Sequence, residues 1–482
     1  MSWSVPQARL PQKPMSWSPW VCVFIFLMAF ALALVWVVLD TPSTGLYPLS
    51  SGHYLPLTGF TLVGILSCLS LYLLIWEAGA LMYYSWTHWQ ANTNAAWQNW
   101  THQHLHIVDS VNFTTRLHLY PQVAGLSRPE GDNEEPAVSL FPEDDAPPGI
   151  YRFEIICRHI LTSFEDAIKA LNLPKQVTFR LYVQTQTEVT ETHVLYLEEL
   201  WQTLYPGYSL QVNPVRPQAS LETVGTCLDA HTPCLVIAMQ YYDGVEEKPL
   251  SEIATGLLLS PADLLRPDTL QNAPQLFRAM PLNLKKLPED LLELRDMTQQ
   301  PAESLRLLWF SGLTDTLRQK LNAVVHDLKL PLRKEAPMGG QLDFDKGCGM
   351  YGSLSGWLMI GAAADMITRG QGSQWVLAAA EGSAWAVVVG DQAPVQADYL
   401  SQLPRDVYPA GCLVASLLFN LVLFWSLGNA FPDWLFSFWG AITLILTLVV
   451  TMIGSAVGLR IVLNRLLEPH FIRSAQSLRD TS

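Results

Sequence analysis

The sequence predicts a chain of two parts, an anchor of four transmembrane helices and a large α/β domain with a mixed sheet layered with helices. Three observations predict this. Apolar residues make up 50% of the 482 and charged residues only 15%, below the roughly 25% charged of an ordinary globular protein. That deficit is concentrated towards the two ends. Between the ends, short apolar runs alternate with amphipathic ones, the pattern of strands and helices in turn.

The first span is Trp20 to Leu39 and the second Leu57 to Trp76, continuing towards Tyr84. The third is Ala410 to Leu427 and the fourth Trp434 to Leu459. A bilayer core takes about 20 apolar residues as a helix, because a helix satisfies its own backbone there. The first run is too long for a signal peptide, and no small-residue cleavage site follows it. Trp17, Trp20, Trp76 and Trp434 stand at span ends, as interfacial anchors do.

Orientation follows from the basic residues. Arg9 and Lys13 precede the first span, Arg405 precedes the third, and Arg460, Arg465, Arg473 and Arg479 follow the fourth. The loops Asp40 to Pro56 and Gly428 to Asp433 carry neither Lys nor Arg. Positive-inside then puts both termini and the middle domain in the cytoplasm. The expected organisation is a stub (1–19), hairpin one (20–84), a juxtamembrane region and acidic linker (85–149), the α/β domain (150–405), hairpin two (406–459) and a basic tail (460–482).

Within the spans, Gly454 and Gly458 form a GxxxG that allows close helix packing. Glu77, at the inner edge of the second span, is read as a boundary residue reaching headgroup water, with an ion or proton site as the alternative. No other charge lies deep in a span, which argues against a transporter or channel.

Beyond the second span, Trp86, Trp89, Trp97 and Trp100 recur at helical spacing, so the helix either continues out of the membrane or lies on its surface. His102, His104 and His106 alternate, so a strand would put them on one face. No carboxylate or cysteine joins them to make a metal site. Next, Arg128 to Gly149 is acidic and proline-rich, read as a flexible linker. Its charges, Glu130, Asp132, Glu134, Glu135, Glu143, Asp144 and Asp145, are the candidate surface for a basic protein partner.

From Ile150 the elements follow in order. A helix is expected over 153–171, a strand over 177–183, a helix over 190–204, a strand over 209–212 and a helix over 221–230. Cys234–Met239 and Ile253–Leu259 are continuous apolar runs, the mark of strands buried on both faces. A less regular stretch leads to a strand at 305–310 and a helix at 314–328. A helix at 354–367 and strands at 375–380 and 385–389 complete the domain. The seven scattered cysteines, with no CxxC, read as reduced thiols. The formal charge of −14 excludes the basic footprint of a nucleic-acid binder.

This order of motifs resembles the thiolase-like fold, β-ketoacyl synthases in particular. PCLVIAMQYYDG followed by SEIATGLLLSPADLL is similar to the strand leaving the nucleophile helix and the next strand; Ser251, Glu252, Ala254, Thr255 and Gly256 stand in that second motif. Trp309-Phe310-Ser311-Gly312-Leu313-Thr314-Asp315 is similar to the family's first histidine region. Lys346 to Gly356 (KGCGMYGSLSG) is similar to the second. Glu381 to Trp385 resembles the final Gly-rich hairpin. The resemblance covers roughly Ile150 to Gly390.

The resemblance implies a cysteine nucleophile at a helix start, where the dipole favours the thiolate, and two histidines. Here the nucleophile position is expected at Pro214 or Val215, the first histidine at Ser311 and the second within Cys348-Gly349-Met350. None has the required side chain. The expectation is a pseudoenzyme with no cofactor and no metal, and Cys348 as the sole stand-in nucleophile. By architecture the chain is similar to membrane-anchored accessory proteins of bacterial type VI secretion effector loci. That implies an adapter or chaperone for an effector, meeting effector, spike or toxin. An immunity protein against a membrane-targeting toxin and a membrane-bound acyl-transfer enzyme are the alternatives. The family's two-fold pairing implies a homodimer.

Overall fold

The computed structural model describes residues 3, 5–6, 8–40, 51–116, 119–125, 138–141, 151–173, 177–242, 250–334, 339–380, 382–399, 401, 403 and 406–481. The chain divides into two compact units. One is helical, Val5–Ala96 with Asp398–Ser482; the other is α/β, Met1–Ser4 with Trp97–Ala397. Six helices set the architecture: α1 (Pro19–Asp40), α2 (Ser51–Thr101), α3 (Thr223–Asp229), α4 (Ser355–Thr368), α5 (Ala410–Ala430) and α6 (Phe438–Thr481).

In the helical unit, α1, α2, α5 and α6 are long and apolar enough to cross a membrane. The second runs on to Thr101, as its tryptophan spacing predicts. Glu77 departs from expectation. It is 1% exposed, and its carboxylate accepts the Cys412 backbone N–H at 3.0 Å, in the first turn of α5. A helix start has unsatisfied N–H groups and a partial positive charge, so a carboxylate is a fitting cap. Gly411 lets the backbones meet, since a Cβ there would lie 2.5 Å from the Leu74 nitrogen. At Gly454 and Gly458 a Cβ would meet nothing within 4 Å among the described residues.

Among the described residues the α/β unit has eleven strands: β1 (His104–Thr114), β2 (Thr178–Thr185), β3 (Ser209–Pro214), β4 (Cys234–Gln240), β5 (Ile253–Ser260), β6 (Gln275–Phe277), β7 (Met280–Pro281), β8 (Leu305–Ser311), β9 (Gln341–Asp343), β10 (Ser373–Ala380) and β11 (Ser383–Gly390). They form one sheet in the order β3-β2-β4-β5-β1-β6-β11-β10-β8-β9, with β7 beside β11.

The sheet is an internal duplication that the sequence does not announce. In the first half β2 is parallel to β3 and β4, β4 antiparallel to β5, and β5 antiparallel to β1. In the second half β8 is parallel to β9 and β10, β10 antiparallel to β11, and β11 antiparallel to β6. α3 links β3 to β4, and α4 links β9 to β10. Pairing of β1 with β6, His104 opposite Phe277, joins the halves. β1, expected in a juxtamembrane region, is therefore a strand of the main sheet.

Strands covered on both faces need apolar residues at every position. Cys234, Val236 and Ala238 of β4 enter one core cluster; Leu235, Ile237 and Met239 enter the other. On the first face lies α4, of which only Asp365 and Thr368 are not fully buried. Small residues allow this. A Cβ at Gly361 would lie 2.3 Å from both Asn112 Oδ1 and Thr255 Oγ1, and one at Gly356 would lie 2.8 Å from Leu221 Cδ2.

The helix expected over 153–171 is two, Arg152–Ser163 and Glu165–Ala170, broken at the buried Phe164. The linker expected over 128–149 also packs in part. Leu140 is buried in the second core cluster, its N–H donated to Glu252 Oε2 at 2.8 Å. Phe141 stacks on His159, with ring centres 4.0 Å apart. The seven acidic residues named above lie outside the described residues.

Candidate functional site

Open α/β sheets place their sites at the carboxyl ends of parallel strands, where loops enter the following helices. Here the carboxyl ends of β2 and β8 and the loops entering α3 and α4 carry residues that sequence spacing did not single out.

Pro214 and Val215 are not at a helix start. Pro214 ends β3 and pairs with Val183, and the Val215 N–H is given to Val183 O at 2.8 Å. Helix α3 begins only at Thr223. The buried hydroxyl in the turn leading to it is Ser220, 2% exposed. Counting from Leu228 overshot because α3 is short and a turn over residues 217–222 precedes it.

The loops before α3 and α4 are tied to each other. Gln184, at the end of β2, donates its amide N–H to Ala219 O at 2.6 Å. Ser353 Oγ is hydrogen-bonded to Pro217 O. Leu221 lies against Gly356 in the first turn of α4. Around this junction Ser220 Oγ, Ser355 Oγ and Gln184 Oε1 are buried without a hydrogen-bond partner.

Ser311 ends β8, one residue beyond the strand expected over 305–310, and is 2% exposed. Its hydroxyl donates to Asp345 Oδ1 at 2.6 Å, and the Gly312 N–H meets Asp345 Oδ2 at 2.7 Å. Arg318 lies 3.9 Å from the same carboxylate and 3.3 Å from Asp343 Oδ2. Gly312 is required there: its φ is +74°, and a Cβ would lie 1.7 Å from Ala379 O.

Cys348 does not open a helix. It caps the carboxyl end of the short helix Phe344–Gly347, its N–H bound to Phe344 O at 2.8 Å. Burial pushes the thiol well up from its ordinary range, and the Asp345 charge adds to this. A neutral thiol is a poor nucleophile. Gly349 has φ +123° and Met350 is exposed, so this loop turns outward before α4 begins. Leu354 and Ser355 start α4 without a capping side chain.

Two other features lie in the α/β unit. His104 and His106 share a face of β1, their rings 5.1 Å apart. Among the described residues no group of His, Cys, Asp or Glu is arranged to hold a metal. A cavity of about 380 Å³ opens between the bulged part of β1 and the carboxyl end of α4, lined by Asp109, Asp268, Thr269, Asn272 and Asp365 among others. None of the degenerate catalytic positions lines it.

No protein-family profile matches the sequence, and no curated protein matches it. Among solved structures the chain is similar to one from the AntDE:AntF complex, a type II PKS acyl-carrier protein with its ketosynthase. The identity is 11% and the TM-score 0.44, over 60% of this chain and 99% of that one. It is similar to a Streptomyces albus oxazolomycin ketosynthase domain at 10% identity and TM-score 0.42, over 63% and 100%. It is also similar to Xanthomonas campestris OleA at 9% identity and TM-score 0.36, over 60% and 98%.

Proposed function

We propose that this chain is a non-catalytic accessory protein of a bacterial inner membrane. Two helical hairpins hold it, and a thiolase-like α/β unit binds a protein partner. The partner class we assign is a secretion-system effector, with the chain as its adapter or chaperone.

The observation that supports the reading is the Asp345 carboxylate. A condensing enzyme needs free donors where negative charge develops on the thioester oxygen. At the position that resembles the family's first histidine, the Ser311 hydroxyl and the Gly312 N–H are both already given to Asp345. An anionic group there opposes an oxyanion instead of stabilising it. Cys348, with its thiol raised by burial, offers no thiolate in compensation.

Two measurements on the full chain in mild detergent test this. Incubation with a long-chain acyl thioester, followed by intact mass, is expected to show no acyl adduct and no thioester cleavage. Affinity capture from native cells is expected to recover an effector or spike protein in stoichiometric amount. An acyl adduct, or capture of an acyl carrier protein alone, would overturn the proposal.

A further inference from the structure

Cys227 and Cys234 are distant from the positions discussed above by role, but not by chain. Cys227 is in the last turn of α3, and Cys234 opens β4, where it pairs with Arg180 of β2. Both are fully buried and both are free thiols. The Cys234 sulfur lies 3.8 Å from the Cys227 carbonyl oxygen and 3.3 Å from Thr232 O. The chain between them turns at His231, whose φ of +49° is a left-handed conformation unusual for a residue with a side chain.

From this juxtaposition we infer that Cys227 and Cys234 form a dithiol–disulfide site, reduced at rest and closed by a low-molecular-weight disulfide such as oxidised glutathione. The two thiols lie in one buried cluster on either side of the reversal at His231, so a bridge between them needs no long-range movement of the chain. The chemistry also assigns them different roles. The Cys227 S–H, directed at the Cys234 sulfur, holds the Cys234 thiol below its ordinary range, and the Arg180 guanidinium acts in the same sense. Burial pushes Cys227 the other way. Cys234 is therefore the attacking sulfur and Cys227 the resolving one.

The step balances as follows. The Cys234 thiolate attacks one sulfur of the small disulfide, giving a mixed disulfide and releasing one small thiolate. Cys227 then gives up its proton to that thiolate and attacks the Cys234 sulfur, releasing the second small thiolate, which takes a proton from water. The protein loses two electrons and the small disulfide gains them. Because both sulfurs are buried, the reaction proceeds through local opening of α3, a helix of seven residues. The turn leading into that helix meets α4 through Leu221 and Gly356. Closure of the disulfide is thereby transmitted to the junction of the two loops.

The test uses the full chain in detergent, equilibrated in glutathione buffers from fully reducing to fully oxidising. It is then quenched in acid, denatured, alkylated and read by mass spectrometry. The expected result is loss of alkylation at Cys227 and Cys234 together, with one midpoint, on a peptide lighter by two hydrogens; Cys157 stays alkylated throughout. In Cys227→Ser the expected product is Cys234 carrying glutathione. The Cys227→Ser/Cys234→Ser double variant, if folded, is expected to show the same hydrogen exchange in α3 under both conditions, whereas the parent chain differs between them. Free thiols at both positions in the most oxidising buffer, or glutathione on each with no internal bridge, would overturn the proposal.

Discussion

The Ser311 hydroxyl is held by the Asp345 carboxylate at 2.6 Å, and the adjoining Gly312 N–H is held by its other oxygen at 2.7 Å. One side chain thus fixes the end of β8 and the turn into the helix at 315–327. The geometry makes Asp345 a structural keystone of that turn.

Replacing Asp345 by Ala is expected to leave Ser311 and Gly312 without their acceptor. A buried donor left unpaired costs about 1–3 kcal/mol, so the α/β unit should unfold earlier by that order. Asp345→Asn retains one acceptor oxygen and should cost less. Thermal unfolding of both variants in detergent measures the difference. Equal losses would mean that the carboxylate contributes by charge, through Arg318, and not by its two hydrogen bonds.

Close packing of α4 yields a second prediction. Thr255 Oγ1 donates to Asn112 Oδ1 at 2.7 Å, and the Asn112 amide donates to Gly361 O at 3.1 Å. Gly361→Ala inserts a methyl group onto this pair. Overpacking of this kind costs roughly 1–3 kcal/mol. The control is Gly454→Ala in α6, where nothing lies within 4 Å and the Gly-to-Ala gain in helix propensity of about 1 kcal/mol applies. Denaturation midpoints should move in opposite directions.

Glu77 supports a third. Its carboxylate caps α5 through Cys412. Glu77→Ala leaves that N–H without an acceptor, and loss of a helix cap costs about 0.5–2 kcal/mol. Glu77→Gln keeps a carbonyl acceptor at the same reach and should be milder. Resistance of the full chain to unfolding by detergent titration separates the two. If Gln is as damaging as Ala, negative charge at the helix start is what matters.

The buried histidines of β1 and its approach predict a pH dependence. Burial lowers the His106 pKa to about 4, with the neighbouring His104 adding to the shift. His102 and His104 are lowered for the same first reason. The folded state thus prefers neutral imidazole, and below the ordinary pKa near 6.5 the unfolded chain binds more protons. The contribution is fully present above about pH 6.5 and is lost as pH falls towards about 4. His106→Phe should flatten the fall in stability between pH 6.5 and 4 relative to the parent. An unchanged slope would assign the acid sensitivity to carboxylates elsewhere.

Much of this was legible before the structure. β4 and β5 were found because strands covered on both faces show unbroken apolar runs. The four long helices were found because length and hydropathy alone define them. The break at Phe164 was not legible, since both flanking segments keep helical apolar spacing and only burial of that side chain at the kink marks it. Leu140 and Phe141 were missed because a core residue inside an acidic, proline-rich stretch has no periodic neighbours to reveal it.

The candidate site was legible only in part. Ser311 lies at the end of β8, whereas Pro214 and Val215 lie at the end of β3 and not at a helix start, because a turn precedes α3. Sequence alone determined the class of the apolar spans, of the doubly covered strands β4 and β5 and of the longer amphipathic helices, because those depend on local periodicity and composition. Only the tertiary structure decided the duplicated strand order, the capping of α5 by Glu77, the Ser311–Asp345 bond and the Cys227–Cys234 juxtaposition. Each of these joins residues through packing and hydrogen-bond partners that no local pattern encodes.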